Sequence, residues 1–359
     1  MKKILIFTNH SYMLWQFRKE LIVKLMEENE VVLCMPFVGH EDDFKLLGLK
    51  CIETAIDRRG INPITDFKLL KQYKKILKSE KPDQVITYSI KPNIYAGFLC
   101  GRMHIPFYAN VQGLGTAFQK PVLAAVVTLM YRTVFKKVRK VFFENTGNAK
   151  EFRKRHILKK EQQVVLKGAG INLDYYAYKP YPTNEKVHFL YLGRIMKEKG
   201  MDELFAAIDQ LKKDGEPFAI DFLGFFEDEY KAQVDAIEKQ GLGKFYGFKE
   251  DPRPYYEDTD CTILPSYHEG MSNVLLEASA TGRPLITSNI PGCKEAVTEG
   301  KNGFLVSPKD TKSLYCAMKK MIALSRSKRA QMGLYGRKKM EREFDKEQVV
   351  LKTIRALKD

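Results

Sequence analysis

The stretch Leu264-Pro-Ser-Tyr-His-Glu-Gly-Met-Ser-Asn-Val-Leu-Leu-Glu-Ala278 combines the end of an apolar strand, a tight turn and the start of a helix. Gly270 lets the backbone approach a ligand closely, and Ser272 or Asn273 suits the N-cap of the helix. Backbone N–H groups at a helix start form an anion site, and Glu277 could reach hydroxyl groups of the molecule that carries the anion. A capped core helix with solvated glutamates is the alternative interpretation.

A second strand-to-helix turn reads Leu190-Tyr-Leu-Gly-Arg-Ile-Met-Lys-Glu-Lys-Gly200. Arg194 and Lys199 lie on either side of this turn. A guanidinium makes planar two-point contacts and an ammonium acts as a point charge, which is a combination that suits a diphosphate. Each cation alone could be a surface charge, but together with Glu269 and Glu277 they indicate one binding site.

Short β-branched or aromatic runs alternate with longer amphipathic stretches along the whole chain, which favours βαβ units. The predicted strands are 4–9, 31–36, 51–55, 84–89, 106–111 and 141–145, and then 189–194, 218–224, 245–248, 261–266, 284–289 and 304–307. The pattern predicts an α/β fold of two doubly wound, Rossmann-like parallel sheets that face each other across a cleft. Ligands bind outside the carboxyl ends of such strands.

The predicted domain boundaries follow from an interruption in this alternation of strands and helices. An N-terminal domain is predicted at 1–172, a linker with two prolines and several tyrosines at 173–186, and a C-terminal domain at 187–344. The segment 345–359 is predicted to be a helix that completes the N-terminal domain.

The charge of the chain is unevenly distributed. The net charge is +16, of which residues 1–180 carry +15. Between Lys120 and Lys160 lie twelve basic residues and only two acids, Glu144 and Glu151. The excess predicts an anionic partner for the N-terminal domain, which could be a nucleic acid, a membrane surface or a phosphorylated substrate. The six cysteines are scattered without Cys-x-x-Cys spacing, which predicts reduced core residues.

The C-terminal half resembles the family 4 retaining glycosyltransferases. The residues that carry this resemblance are Gly193-Arg194, Lys199-Gly200, Pro265-Ser266, Glu269-Gly270, Glu277-Ala278 and Gly282-Arg283-Pro284. In the first half, 88–97, 110–115 and 143–145 resemble the subgroup that extends undecaprenyl-diphosphate-linked sugars for capsules, O-antigens and protein glycans. The resemblance covers nearly the whole chain and implies the GT-B fold.

The resemblance implies a nucleotide-sugar donor, expected to be a UDP-sugar, held mainly by the C-terminal domain. The predicted catalytic residues are Arg194 and Lys199, which would contact the diphosphate, and Glu269, which would hold the donor sugar. Glu277 would bind ribose hydroxyls. The other predicted donor-binding residues are Gly193, Gly247, Phe248, Gly270, Met271, Ser272, Asn273 and Val274.

No cofactor and no metal site are expected. The run Asp258-Thr-Asp260 matches an Asp-x-Asp pattern that holds a divalent metal in other glycosyltransferases. However, the run immediately precedes a predicted strand, and the family that this chain resembles uses cationic side chains in place of a metal.

Two parts of the first half depart from the family pattern. The loop after the first strand is Thr8-Asn-His-Ser-Tyr-Met13 where many members have glycines, and the run Ser89-Ile-Lys91 stands where many have a histidine. His10 or Lys91 would take the place of that histidine, although a structural histidine and a solvated lysine are the alternatives. The predicted acceptor-side residues are His10, Lys91, Asn93, Gly113, Gly115 and Thr116.

The segment from Leu123 to Val138 has a wide apolar face, made by Leu123, Val126, Val127, Met130 and Val134, and is followed by cations. We expect it to lie on anionic lipid headgroups, with a core helix as the alternative. The predicted membrane residues are Lys136, Lys137, Arg139 and Lys140.

These expectations combine into a retaining glycosyltransferase that is peripheral at the cytoplasmic face of the membrane. It would move a hexose or N-acetylhexosamine from a UDP-sugar to a hydroxyl of a lipid-diphosphate-linked saccharide. A glycosyltransferase with a soluble acceptor is one alternative, and a non-catalytic basic nucleotide- or nucleic-acid-binding protein is another. The sequence has no helix-turn-helix, zinc or aromatic RNA-binding signature, so no nucleic-acid partner is expected.

Overall fold

The predicted alternation of strands and helices forms two separate parallel sheets. The structure is a computed structural model, and it describes residues 1–57, 60, 62–115, 118 and 120–358. The sheets belong to two units. Unit 1 comprises Met1–Ala169 with Glu347–Asp359, and unit 2 comprises Gly170–Lys346. Each unit therefore has the predicted α/β architecture.

Unit 1 is built on a seven-stranded sheet with the order β3-β2-β1-β4-β5-β6-β7. Its strands are β1 (Lys2–Phe7), β2 (Asn29–Met35), β3 (Lys50–Glu53), β4 (Gln84–Tyr88), β5 (Phe107–Val111), β6 (Lys140–Phe143) and β7 (Gln163–Val165). Its helices are α1 (Ser11–Met26), α2 (Glu41–Leu46), α3 (Pro63–Glu80), α4 (Ile90–Met103), α5 (Pro121–Val134), α6 (Thr146–Lys154) and α13 (Lys346–Lys358).

The central strands of this sheet are buried on both faces, which is why their sequences are continuously apolar. Leu5 and Phe7 of β1 face a core that includes α3, α4 and α5, whereas Ile4 and Ile6 face a core that includes α1 and α13. Tyr108 of β5 donates a hydrogen bond of 3.0 Å to the carbonyl of Leu357 in α13. The last helix is therefore part of the core of unit 1.

Unit 2 is built on a five-stranded sheet with the order β12-β11-β10-β8-β9. Its strands are β8 (Val187–Leu192), β9 (Phe218–Leu223), β10 (Cys261–Leu264), β11 (Leu285–Ser288) and β12 (Gly303–Val306). Its helices are α7 (Met201–Lys213), α8 (Lys231–Lys239), α9 (Arg253–Glu257), α10 (Asn273–Ala280), α11 (Thr311–Ala323) and α12 (Arg326–Glu343).

Two predictions of secondary structure need correction. The predicted strand 245–248 is a loop that makes one isolated bridge, between Phe245 and Phe222 of β9. Conversely, β7 was not predicted, because its three residues are too few to show an alternating pattern. Among the described residues, none of the helices combines the length and the apolarity that crossing a bilayer requires.

The segment predicted as a linker, 173–186, instead packs within unit 2, which begins at Gly170. Tyr181 is buried, and its hydroxyl donates to the carbonyl of Asp260 at 2.9 Å. The segment has no strand partners, so its carbonyls need other donors. Arginines supply them: Arg283 donates to Lys179 at 3.1 Å and Pro180 at 3.0 Å, Arg326 to Pro182 at 2.7 Å, and Arg337 to Tyr176 at 2.9 Å.

We predict that Arg283→Ala lowers the free energy of unfolding of unit 2 by about 3–5 kcal/mol. Arg283 is fully buried, so its removal leaves several carbonyls without a donor. Urea denaturation followed by far-UV circular dichroism would measure the change. The fluorescence of Trp15, the single tryptophan of the chain, would report on unit 1 in the same samples.

Arg326→Ala is the matched control, because Arg326 donates to the same segment but is exposed. Water can replace its hydrogen bonds, so we expect a change below about 1 kcal/mol. Equal losses in the two variants would contradict the role assigned to the buried guanidinium.

Candidate functional site

The two turns singled out in the sequence are in contact in unit 2. Lys199 lies at the end of the first turn, and its ammonium forms an ion pair with the carboxylate of Glu269 in the second. The Ser266 hydroxyl donates to the same carboxylate oxygen at 2.8 Å. Gly200 has a φ of 75°, and a Cβ at this position would clash with the carbonyl of Pro265. A glycine is therefore needed for the two turns to approach each other.

The helix start beside this ion pair is open to an anion. Ser272 occupies the N-cap position of α10, but its side chain makes no capping hydrogen bond, and its own N–H donates to Gly292 at 2.8 Å. Met271 is buried, whereas Asn273 and Val274 are partly exposed. The first N–H groups of α10 thus lack a capping side chain, in the way that an anion-binding helix start requires.

Arg194 lies on the same turn as Lys199 and is also paired. Its Nη1 donates to the Oε2 of Glu227 at 2.6 Å. Glu227 follows β9, and its own N–H donates to Ile195 at 3.0 Å, which ties the two loops together. Gly193 belongs to the same junction, since a Cβ on Gly224 would clash with its carbonyl. Glu227 was not predicted, because no sequence pattern indicates that a carboxylate 33 residues away faces Arg194.

Glu277, which was expected to reach hydroxyl groups of the ligand, is buried inside unit 2. Its side chain is buried, and Oε2 accepts a hydrogen bond of 2.9 Å from the hydroxyl of Tyr256. Burial raises the pKa of Glu277 above its ordinary value, although hydrogen bonds from Tyr256 and Tyr176 act in the opposite direction. Both tyrosines were missed, because single aromatic residues carry no functional signal in a sequence.

Gly247 and Phe248, two of the predicted donor-binding residues, lie in the loop that replaces the predicted strand 245–248. Gly247 has a φ of 69°, and its carbonyl accepts from the N–H of Gly224 at 3.0 Å. Phe248 is exposed, as is Phe225 on the neighbouring loop. Exposed aromatic rings beside Gly193 and Arg194 suit the flat surface of a base.

Most of the predicted acceptor-side residues of unit 1 lie after the carboxyl ends of β1, β4 and β5. His10 is at the N-cap of α1, and Gly113 and Gly115 follow β5. Lys91, in the first turn of α4, forms an ion pair of 2.6 Å with Asp66. Thr116 lies outside the described residues.

The prediction for Asn93 needs correction, because its side chain is used inside the core. It accepts from the hydroxyl of Thr87 at 2.6 Å and donates to the carbonyl of Asn110 at 2.9 Å. With 1% of its surface exposed, it holds the ends of β4 and β5 and does not face a ligand.

Sequence reasoning also missed two features at this edge. Ser89, between β4 and α4, has a φ of 74°, which is rare for a residue with a side chain, and its hydroxyl lies 2.7 Å from Oδ1 of Asn9. Arg18 forms an ion pair with Glu144, and its guanidinium lies 5.5 Å from the ring centroid of Tyr88. Burying a charge costs free energy unless the charge is paired, and a positive φ strains a residue that has a side chain. Both features therefore indicate that this edge of the sheet has a specific structural role.

The apolar face predicted for α5 needs correction. Val127 and Val134 are buried in the core of unit 1, whereas Val126 is exposed. Of the predicted membrane cations, Lys136, Lys137 and Arg139 are exposed, and Lys140 is partly buried. Two of the four donate to backbone carbonyls: Lys137 to Gly101 at 2.8 Å, and Lys140 to Glu161 at 3.2 Å.

The Asp-x-Asp run is engaged in structural hydrogen bonds. Asp260 is buried, and its Oδ2 accepts from the N–H of His188 at 3.0 Å and from Asn184 at 2.8 Å. In the part of the chain that the structure describes, no group of three or more His, Cys, Asp or Glu side chains is placed to hold a metal ion.

Comparison with known proteins connects both units to one group of enzymes. Residues 179–339 match the family model of glycosyl transferases group 1, and residues 3–145 match that of glycosyl transferase 4-like proteins.

Two curated relatives and one solved structure extend the comparison. The N,N'-diacetylbacillosaminyl-diphospho-undecaprenol alpha-1,3-N-acetylgalactosaminyltransferase of Campylobacter jejuni is 26% identical over 320 residues, which are 84% of each chain. The capsular polysaccharide biosynthesis glycosyltransferase CapM of Staphylococcus aureus is 28% identical over 52% of this chain and 53% of that protein. HepE of Anabaena, solved with UDP and glucose, superposes with a TM-score of 0.80 at 15% identity over all of both chains, which is a likeness of fold.

We predict that Glu227→Gln strengthens the binding of UDP about two- to fivefold. A phosphate that binds Arg194 has to compete with this carboxylate, and a partly exposed ion pair contributes roughly 0.2–1 kcal/mol. Isothermal titration calorimetry would measure the dissociation constant. Glu229→Gln, an exposed charge two residues away, is the matched control and should leave it unchanged. Weaker binding by Glu227→Gln would contradict the competition.

Proposed function

This chain belongs to the family 4-like, group 1 glycosyltransferases of the GT-B fold, and from that membership we propose its donor, acceptor and mechanism. The donor is a UDP-sugar that carries a hexose or N-acetylhexosamine. The acceptor is a hydroxyl of a lipid-diphosphate-linked saccharide at the cytoplasmic face of the membrane. The transfer retains the anomeric configuration of the sugar.

The observation that carries the donor proposal is the ion pair of Lys199 with Glu269 beside the uncapped start of α10, with Arg194 on the same turn as Lys199. Both cations are paired with carboxylates, so a diphosphate can bind by replacing a carboxylate as the partner of each cation. Neither cation is then left unpaired before the donor binds. When Lys199 moves to a phosphate oxygen, the Glu269 carboxylate becomes available to accept a hydrogen bond from a hydroxyl of the sugar. Ser266 keeps that carboxylate in place through its hydrogen bond.

The arrangement suits the charge changes of the reaction. Breaking the bond between the sugar and the diphosphate puts negative charge on the leaving phosphate and makes the sugar oxocarbenium-like. Arg194, Lys199 and the helix start stabilise the first charge, and Glu269 orients and balances the second. Two side-chain cations and a helix start supply the positive charge that a metal would otherwise provide, so we propose that the enzyme uses no metal.

Retention is proposed to occur without a separate protein base. The acceptor hydroxyl attacks the face that the diphosphate leaves, and its proton passes to the leaving phosphate oxygen. Glu277 is buried against Tyr256, so it is not available as the second carboxylate that a retaining hydrolase would need.

The acceptor proposal rests on two observations. The relative from Campylobacter jejuni is named for a diphospho-undecaprenol acceptor, and the match covers 84% of this chain. The positive charge is concentrated in residues 1–180, where an anionic lipid-linked diphosphate would bind. Lys91, at the start of α4, is the proposed contact for this acceptor once it leaves Asp66.

We predict that Lys199→Ala and Glu269→Ala each lower kcat/KM for sugar transfer about 10²-fold or more, because each removes a charge that acts in the transition state. Transfer of labelled sugar to a lipid-diphosphate-linked acceptor would measure the loss. A thermal-shift panel of nucleotide sugars would identify the donor to use. The anomeric coupling constant of the product would test retention.

Lys197→Ala is the matched control. Lys197 lies on the same turn as Lys199, but its side chain is 68% exposed and pairs with the exposed Asp202. We expect its kcat/KM to stay within about twofold of the unmodified enzyme. Near-normal turnover by Glu269→Ala would overturn the assignment of the site, and an inverted product would overturn the mechanism.

A further inference from the structure

Three neighbouring helices cover one face of the sheet of unit 1. α3 packs against α4, and α4 packs against α5. All three contribute to the core that contains Leu5 and Phe7, so their opposite sides form one outer surface. We call this surface the three-helix face and define it by the exposed residues of α3, α4 and α5.

A ridge of lysines runs along α3 on this face. The exposed lysines of the helix are spaced three or four residues apart on one side, and they are Lys68, Lys71, Lys74, Lys75 and Lys78. The helix contains only two acids, and both are engaged elsewhere: Asp66 pairs with Lys91, and Glu80 pairs with Lys50. The ridge is therefore a strongly positive strip, which sequence analysis had not assigned to a partner.

Exposed apolar side chains lie beside these cations on α3, and others lie on α5, which packs on the other side of α4. On α3, Ile64 and Phe67 are more than half exposed, and the ammonium of Lys71 lies 4.7 Å from the ring centroid of Phe67. On α5, Val122 is 80% exposed and Leu129 is 64% exposed. An apolar surface with cationic neighbours is unusual for a surface that faces only water.

Part of the apolar surface lies toward one edge of the sheet. Ile64 and Val122 are in the first turns of α3 and α5, whereas Leu129 lies further along α5 and Lys78 and Lys136 lie at or beyond the last turns. In a parallel sheet the helices that follow the strands begin at the carboxyl edge. The apolar residues of these first turns are therefore at the edge that also carries Lys91.

We propose that the three-helix face docks on an anionic phospholipid bilayer, with the apolar residues of α3 and α5 entering the interface and the lysine ridge contacting the headgroups. This proposal rests on the proposed function for the lipid-linked nature of the acceptor. It moves the main electrostatic contact from the end of α5, where Lys137 and Lys140 bond to carbonyls, to α3. The bilayer would then present an acceptor diphosphate close to Lys91.

The aliphatic residues decide between a bilayer and a nucleic acid. Val122, Val126 and Leu129 gain from leaving water for an acyl boundary, whereas a polyphosphate backbone offers them no partner. A single-stranded nucleic acid would favour a row of aromatic rings for stacking. An anionic bilayer satisfies charge complementarity and apolar exposure together, whereas a nucleic acid satisfies only the first.

The test is co-sedimentation of the full chain with vesicles of phosphatidylcholine, with and without phosphatidylglycerol. We expect binding only to the vesicles with phosphatidylglycerol, and weaker binding as salt is added. The variant K71Q/K74Q/K75Q/K78Q should lose at least about tenfold in partition coefficient, because each near-surface cation contributes to the attraction. The variant V122D/L129D should also lose binding, at low salt as well as high.

The matched control is K312Q/K320Q/K328Q/K338Q, which removes the same charge from exposed positions on α11 and α12 of unit 2. We expect it to bind like the unmodified chain. Three results would overturn the proposal: no binding to anionic vesicles, equal losses in the control and the α3 variant, or equally tight binding of a single-stranded oligonucleotide through the same lysines. Circular dichroism of each variant would establish that it is folded.

Sugar transfer to a short-chain acceptor in detergent separates this proposal from the proposed function. The α3 variant should keep this activity within about twofold, because none of its substitutions touches the donor site. If the unmodified chain transfers sugar but does not bind vesicles, the proposed docking surface is wrong and the proposed function stands. If it binds vesicles but transfers no sugar, the proposed function is wrong and the docking surface stands.

Discussion

The ion pair between Lys199 and Glu269 is the contact on which the candidate site depends. It joins two turns that come from different strands of unit 2, and the close approach of Gly200 to Pro265 brings its two charges together. Both side chains are largely shielded from water, so each charge relies on the other for compensation. A diphosphate that pairs with Lys199 therefore deprives Glu269 of its cation. Binding of the leaving group is thereby coupled to placement of the sugar.

Much of this architecture could be predicted from the sequence. Eleven of the twelve predicted strands are present, because buried parallel strands are short, apolar and separated by helical periods. The proximity of the two turns could also be predicted, since the carboxyl ends of β8 and β10 share one edge of the sheet. The strand predicted at 245–248 failed because its aromatic residues serve loop packing, as in the contact between Phe245 and Phe226.

The remainder could not be predicted because it depends on pairs that are distant in sequence. Glu227 faces Arg194 because loops after two different strands meet, and Glu277 is paired because Tyr256 of α9 reaches it on α10. The segment 173–186 has the composition of a linker, and its attachment depends on Arg283, a residue that had been noted only as part of a family motif. On α5, the sequence shows apolar residues on more than one side, and only the packing distinguishes the buried Val127 from the exposed Val126.

The position of α13 has a consequence for how the chain acquires its structure during translation. The core around Ile4 and Ile6 includes Val349, Val350, Ala356 and Leu357, and all of unit 2 is synthesised before these residues emerge from the ribosome. Unit 2 is continuous in sequence and can fold as soon as it is made, while unit 1 waits with an open apolar groove beside α1. The unit that is translated first therefore completes its packing only after the other unit has been made.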